Sequence, residues 1–127
     1  MKKKVLIVDD EEDFSTLISI RLNEGGYEVY SESEGKNVIK RVKEIKPDLV
    51  VLDIFLLGMD GLTILQKLKK EGIENVSLAD IPVIVVTGKA VLMNEIFEVE
   101  GCVGFFRKPI DVKKLVTRVK ELIGESE

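Results

Sequence analysis

No histidine occurs in this chain, and Cys102 is its only cysteine. The first absence removes Ser/His/Asp and Cys/His nucleophilic arrangements, together with the commonest metal-ligating side chain. The second excludes an intramolecular disulfide and a cysteine-based zinc site, and makes a reducing cytoplasm the natural compartment. Long apolar runs are missing too. The longest mostly apolar stretch, residues 49–59, is broken by Asp53 and falls well short of the ~20 residues that a membrane-spanning helix requires. The opening MKKKVLIV imitates a signal peptide for a few residues, but acids follow its short apolar run at once. Apart from Lys2, Lys3 and Lys4, the basic residues are scattered, and 19 basic against 23 acidic residues leave a net charge of −4. Direct nucleic acid binding by this domain is therefore not expected.

What is present reads as one globular domain. Hydrophobic residues make up 45% and charged residues 33% of 127 positions, enough for one core and too few residues for two of ordinary size. The expected domain covers residues 1–124, with 125–127 a polar tail or the start of a linker. Short β-branched runs alternate with longer amphipathic segments, which is a βα repeat. The strand candidates are 4–9, 27–31, 49–53, 82–87 and 102–106, and four of them are nearly continuous apolar runs, as in a parallel sheet covered on both faces. Helical spacing places Phe14, Leu17, Ile18 and Leu22 on a first helix ending at Gly25 and Gly26. A second helix over 36–45 is closed by Pro47, and a third spans 62–70. The last starts from Asp111 as N-cap and buries Val112, Leu115, Val116, Val119, Leu122 and Ile123. In a fourth helix, near 90–99, apolar residues cover more of the circumference than one buried stripe needs, so a partner-binding face and a tight core corner are both open readings.

Five such units predict an α/β, doubly wound parallel sheet, a fold that takes ligands outside the carboxyl ends of its strands. Every unusual polar residue falls on that edge: Asp9 and Asp10 after the first strand, Asp53 after the third, Thr87 after the fourth and Lys108 after the fifth. Three carboxylates in one pocket repel and raise one another's pKa unless a cation intervenes. Oxygen donors at a surface cleft suit a hard divalent ion that keeps some waters, which describes Mg²⁺ better than zinc. Asp10 and Asp53 would be direct ligands and Asp9 would act through water. With Lys108 as a second cation and Thr87 as a hydroxyl donor, the same pocket can neutralise a transferred phosphoryl group, leaving Asp53 as nucleophile. Taken singly, each residue has a plainer role as turn, cap or loop, and Glu11, Glu12 and Asp13 read as acids favouring a helix N-terminus. Their joint position at strand ends is what carries the site.

The chain resembles a bacterial response regulator receiver domain of the chemotaxis-regulator type, over essentially its whole length. The residues that carry the resemblance are Asp9-Asp10, Asp53 in LVVLDIFLLGMDG, Thr87 in PVIVVTG and Lys108-Pro109 in GFFRKPID. The resemblance implies a flavodoxin-like (βα)5 sheet in strand order 2-1-3-4-5. It makes Asp53 the phosphoacceptor, Asp9 and Asp10 the magnesium-binding acids, and the Phe55 carbonyl the remaining protein ligand. Thr87 and Lys108 would read the phosphoryl group, Lys108-Pro109 would be cis, and Phe105 would be the aromatic that moves when Thr87 is drawn toward the site. It implies a two-component or phosphorelay switch, phosphorylated by a histidine kinase or histidine phosphotransfer protein. Such domains catalyse their own phosphorylation and slow dephosphorylation, so the chain is a switch more than an ordinary enzyme. Output would use the fourth helix, fifth strand and fifth helix, a face also open to homodimerisation.

Three departures from the family pattern stand out. Leu57 replaces a frequent Pro, 71–81 is longer than usual, and Phe55 with Lys89 flank the site where they would slow loss of the phosphoryl group. A haloacid dehalogenase would need an Asp where Glu11 stands, and a flavin protein would need a phosphate loop where this chain places acids. The competing reading that survives is a receiver-like interaction module that is never phosphorylated.

Overall fold

β-branched side chains are stiff at χ1 and pack well on a pleated surface, and they are concentrated in the central strands KVLIV, LVVLD and VIVVT, whereas the two edge strands, EVYSE and CVGFFR, carry one each and rely on aromatic residues as well. The computed structural model describes residues 2–56, 59–60, 63–64, 66–68, 70, 81–88 and 102–125. β1 (Lys4–Val8), β2 (Glu28–Glu32), β3 (Leu49–Asp53), β4 (Val83–Thr87) and β5 (Cys102–Arg107) pair in parallel in the order β2-β1-β3-β4-β5. This is the doubly wound, flavodoxin-like sheet expected from the sequence, and each strand lies within a residue or so of its expected span. The expected fourth helix and the segment 71–80 lie outside the described residues, as do Leu57 and Lys89.

The period-2 alternation of the strands divides the core into two layers. On one face Leu6, Val8, Val50, Leu52, Val83 and Val85 pack against Val38, Val42 and Ile45 of α2 (Val38–Ile45) and against Ile64 and Leu68. On the other, Val5, Ile7, Leu49, Val51, Ile84 and Val86 meet Ile18 and Leu22 of α1 (Glu12–Glu24) and Leu115 and Val119 of the C-terminal helix (Val112–Ile123). All five residues of β3 and of β4 are buried, which is why both read as unbroken apolar runs.

Helix ends follow local chemistry. Gly25 closes α1, its N–H donating to the Arg21 and Leu22 carbonyls, and Gly26 supplies the left-handed turn at φ 92°. The second helix ends at Ile45, two residues before Pro47, and Lys46 between them takes the left-handed conformation (φ 53°). A proline disfavours helical backbone in the residue before it, so Pro47 sets the stop and Lys46 makes the turn. Asp111 caps the C-terminal helix as expected, its Oδ1 accepting from the Lys114 N–H at 3.3 Å. The far end of that helix is tied to the sheet by the Tyr27 hydroxyl, which donates to the Gly124 carbonyl at 2.5 Å, and by Lys3, which donates to the Ile123 carbonyl.

Two features escaped the sequence. Directly after β3, Phe55–Leu56 pairs antiparallel with Met59–Asp60, a two-residue ladder too short to show any periodicity. Between β4 and β5 the register shifts, Val83 facing Cys102 while Ile84 faces Gly104. The extra residue, Val103, keeps a partner because Arg118 of the C-terminal helix donates to its carbonyl at 2.8 Å.

The two-layer core makes a direct test. Leu115→Ala, at a fully buried position, is expected to lower unfolding stability by about 2–5 kcal/mol in urea titrations. Leu17→Ala, on an α1 position that is 47% exposed, is expected to change it by less than about 0.5 kcal/mol.

Candidate functional site

Strand order brings the candidate residues together. β1 and β3 are neighbours, so Asp9, immediately after β1, and Asp53, the last residue of β3, meet at the same sheet edge. The Asp9 N–H donates to the Glu32 carbonyl and the Ile54 N–H to the Val86 carbonyl, so both acids sit on backbone held by the sheet ladder. Thr87 ends β4 and is fully buried. The Lys108 N–H donates to its carbonyl at 2.7 Å, the bond that carries the β4–β5 pairing one residue past the end of β5. Lys108-Pro109 is cis, as the resemblance implied.

From there the Lys108 side chain reaches back across the edge. Its Nζ lies 2.9 Å from Asp9 Oδ2, 2.9 Å from Glu11 Oε1 and 3.4 Å from Asp53 Oδ2. The ammonium also sits over the Phe14 ring, 4.4 Å from its centroid. Only 11% of the Lys108 side chain is exposed. Burial alone would lower its pKa, but its close contacts with Asp9 and Glu11, together with the charges of Asp9 and Asp53, outweigh that and hold it above the usual lysine range. Lys108 is a fixed positive charge at neutral pH.

The acids show the opposite strain. Asp9 and Asp53 are each 4% exposed, and carboxylate oxygens of Asp9, Asp10 and Asp53 all lie within 4.8 Å of one another. Asp9 Oδ1 accepts from the Glu11 N–H at 2.8 Å, whereas Oδ2 meets Lys108 only as an ion pair, off the line of a hydrogen bond. Burial pushes the Asp9 carboxyl above the ordinary Asp range, and Lys108 and the Glu11 N–H do not fully offset it; the neighbouring Asp53 charge adds to the rise. Asp9, Asp10, Glu11 and Asp53 set four carboxylates against the one Lys108 ammonium, an excess of negative charge that a divalent cation would reduce. The donors are all hard oxygens, so the cluster fits a hard divalent ion.

Asp9, Asp10, Asp53, Thr87 and Lys108 are thus gathered on one edge as the sequence suggested. Phe105 is half-buried on β5 against the α2-side layer, and Phe106 is half-buried against the opposite layer, so each faces inward on its own side of the sheet. The Phe55 backbone lies in the short hairpin just past Asp53. Glu11 corrects an expectation: rather than only favouring a helix N-terminus, it stands at the N-cap position of α1, makes no capping bond and turns its carboxylate to Lys108. Phe14, on the apolar spacing of the first helix, packs against the α1-side layer and also lies under the Lys108 ammonium. No spacing rule links residues 11 and 14 to residue 108, so both contacts had to come from the fold.

The comparisons with known proteins agree with this geometry. Residues 5–120 match the sequence profile of the response regulator receiver domain. The alkaline phosphatase synthesis transcriptional regulatory protein PhoP of Bacillus subtilis is 32% identical over 128 residues, a match covering all of this chain and 51% of PhoP. The chain therefore spans about half the length of that curated relative. The BeF₃-activated N-terminal receiver domain of Klebsiella pneumoniae RstA superposes with a TM-score of 0.81 at 28% identity, covering 95% of this chain and 98% of that one. A CheY-like response regulator receiver domain protein from Methanospirillum hungatei superposes with a TM-score of 0.82 at 28% identity, covering 95% and 93%. With the profile match running through both the acid pair and Lys108, the chain belongs to the response regulator receiver domain family.

Proposed function

We propose that this domain is a phosphorylation-dependent signalling switch whose phosphoacceptor is Asp53. One observation carries the reading: Asp53, Asp9 and Asp10 converge with the Lys108 ammonium at the carboxyl edge of the sheet, with Nζ 3.4 Å from Asp53 Oδ2. The donor is a phosphohistidine on a kinase or phosphotransfer protein. An Asp53 carboxylate oxygen forms the new bond to phosphorus, the phosphorus–nitrogen bond to the donor imidazole breaks, and the imidazole leaves with that electron pair. Asp9, Asp10, Asp53 and the Phe55 carbonyl would hold Mg²⁺, which when bound supplies charge neutralisation for the phosphoryl oxygens. Lys108 offers the second, permanent positive charge to the same oxygens.

Thr87 and Phe105 convey the state of the site. The Thr87 hydroxyl would donate to a phosphoryl oxygen on Asp53, a reading supported by the pairing of Asp53 with Val86, the residue before Thr87. Phe105 pairs with Val85 and lies half-buried beside the α2-side layer, where a shift of Thr87 would let it turn inward. Output then passes through the face that includes β5 and the C-terminal helix, to a protein partner or a second copy of the chain. In this proposal the switch works in the cytoplasm; among the described residues no helix is long and apolar enough to cross a membrane.

The first test is intact mass after incubation with acetyl phosphate. A single phosphoryl adduct that requires Mg²⁺ and is lost in Asp53→Ala is expected; an adduct that survives the substitution contradicts the assignment. A second test uses charge. In Mg²⁺-free buffer Asp10→Asn is expected to stabilise the fold by roughly 1 kcal/mol, because it removes one repelling carboxylate. Magnesium at about a hundredfold excess over its Kd should stabilise the wild type by about 2.7 kcal/mol and the variant far less, so urea midpoints with and without the ion should cross over. A third concerns lifetime. With Phe55 two residues after Asp53 and Lys89 two residues after Thr87 in the sequence, the phosphorylated form is expected to decay more slowly than that of quick chemotaxis-type regulators, and decay at their rate would remove that role for the two residues.

A further inference from the structure

The Lys108 ammonium has three strong partners, and one of them stands outside the cation cluster. Asp9 and Asp53 are buried members of that cluster, whereas the Glu11 side chain is 63% exposed and sits at the rim. Its bond to Nζ, at 2.9 Å, is shorter than the 3.4 Å contact from Nζ to Asp53. The Phe14 ring lies against the same ammonium and limits water on that side. The ammonium donates hydrogen bonds to Glu11 and Asp53 and stands in an ion pair with Asp9. A phosphoryl group arriving on Asp53 therefore competes with Glu11 for the same positive charge.

We infer that Glu11 is a positioning residue acting through Lys108: in the resting state it latches the ammonium at the rim of the site, and this latch competes with a phosphoryl group on Asp53 for Lys108. This rests on the reading of Asp53 as phosphoacceptor. Asp53 loses its free carboxylate when it is esterified, and Asp9 holds Lys108 inside the pocket, so Glu11 is the anion that still competes with the phosphoryl oxygens. Glu11 is the partner in water, where an ion pair is cheapest to break. Its negative charge also opposes the phosphoryl oxygens that share Lys108. Glu12 supplies the control, being the next acid in the same turn, exposed, and not among the ion-pair partners of Lys108.

Beryllofluoride, as a phosphoryl mimic, gives an equilibrium readout. Its affinity would be measured at saturating Mg²⁺ from amide chemical shifts for wild type, Glu11→Gln and Glu12→Gln, with Mg²⁺ affinity measured separately. Glu11→Gln is expected to bind beryllofluoride roughly three- to fivefold more tightly than wild type, and Glu12→Gln to stay near wild type. General loss of charge would instead weaken Mg²⁺ binding similarly in both variants. Wild-type binding with Glu11→Gln unchanged or weaker, or with Glu12→Gln gaining as much, overturns the latch alone. Wild-type protein that does not take the probe overturns the phosphoryl reading, and the latch with it.

Discussion

Everything at the functional edge depends on the ammonium of Lys108 holding together acids that would otherwise repel. It comes from the end of β5 and reaches carboxylates at the ends of β1 and β3, so one side chain connects strands that are not adjacent in the sheet. The acids still outnumber it, and burial, with the neighbouring Asp53 charge adding to the effect, holds the Asp9 pKa above its ordinary range. An edge built this way is poised to accept a divalent cation and then a phosphoryl group, because each arrival changes which charges Lys108 must satisfy.

The fold supplies the rigidity that this arrangement needs. β3 and β4 are buried on both faces, and their carboxyl ends carry Asp53 and Thr87 at full burial or close to it. Side chains on such strands are placed by the sheet register rather than by loops. Lys108 lies just outside the last strand, yet its N–H is bonded to the Thr87 carbonyl, so its backbone is as fixed as the acids it serves. The rim is softer. Glu11 and Asp10 lie in the turn between β1 and α1, beside an open groove lined by Glu12, Ser15, Thr16 and Glu32. A partner that delivers a phosphoryl group would approach from that open side.

Much of this could be read from the sequence because buried parallel strands announce themselves as apolar runs and their ends as abrupt polar residues. LVVLD and VIVVT need no context to be recognised as strands that stop at an acid and a hydroxyl. Asp111 as N-cap and the turn before Pro47 were legible for similar local reasons. What stayed hidden was either too short or too distant. A two-residue hairpin has no period, and the extra residue at Val103 is visible only against its partner strand. The roles of Glu11 and Phe14 depend on a lysine 97 positions after Glu11, and an acid at a helix start has a sufficient local explanation that conceals the tertiary one.

The account stands or falls on which side chain becomes esterified. Reducing the acetyl phosphate-treated protein with borohydride converts an aspartyl phosphate to homoserine, and peptide mass mapping then locates it. The account requires homoserine at position 53 and nowhere else, in a yield that depends on Mg²⁺. Homoserine at position 9 or 10, or none in protein shown to bind Mg²⁺ and to carry the phosphoryl group, would contradict it.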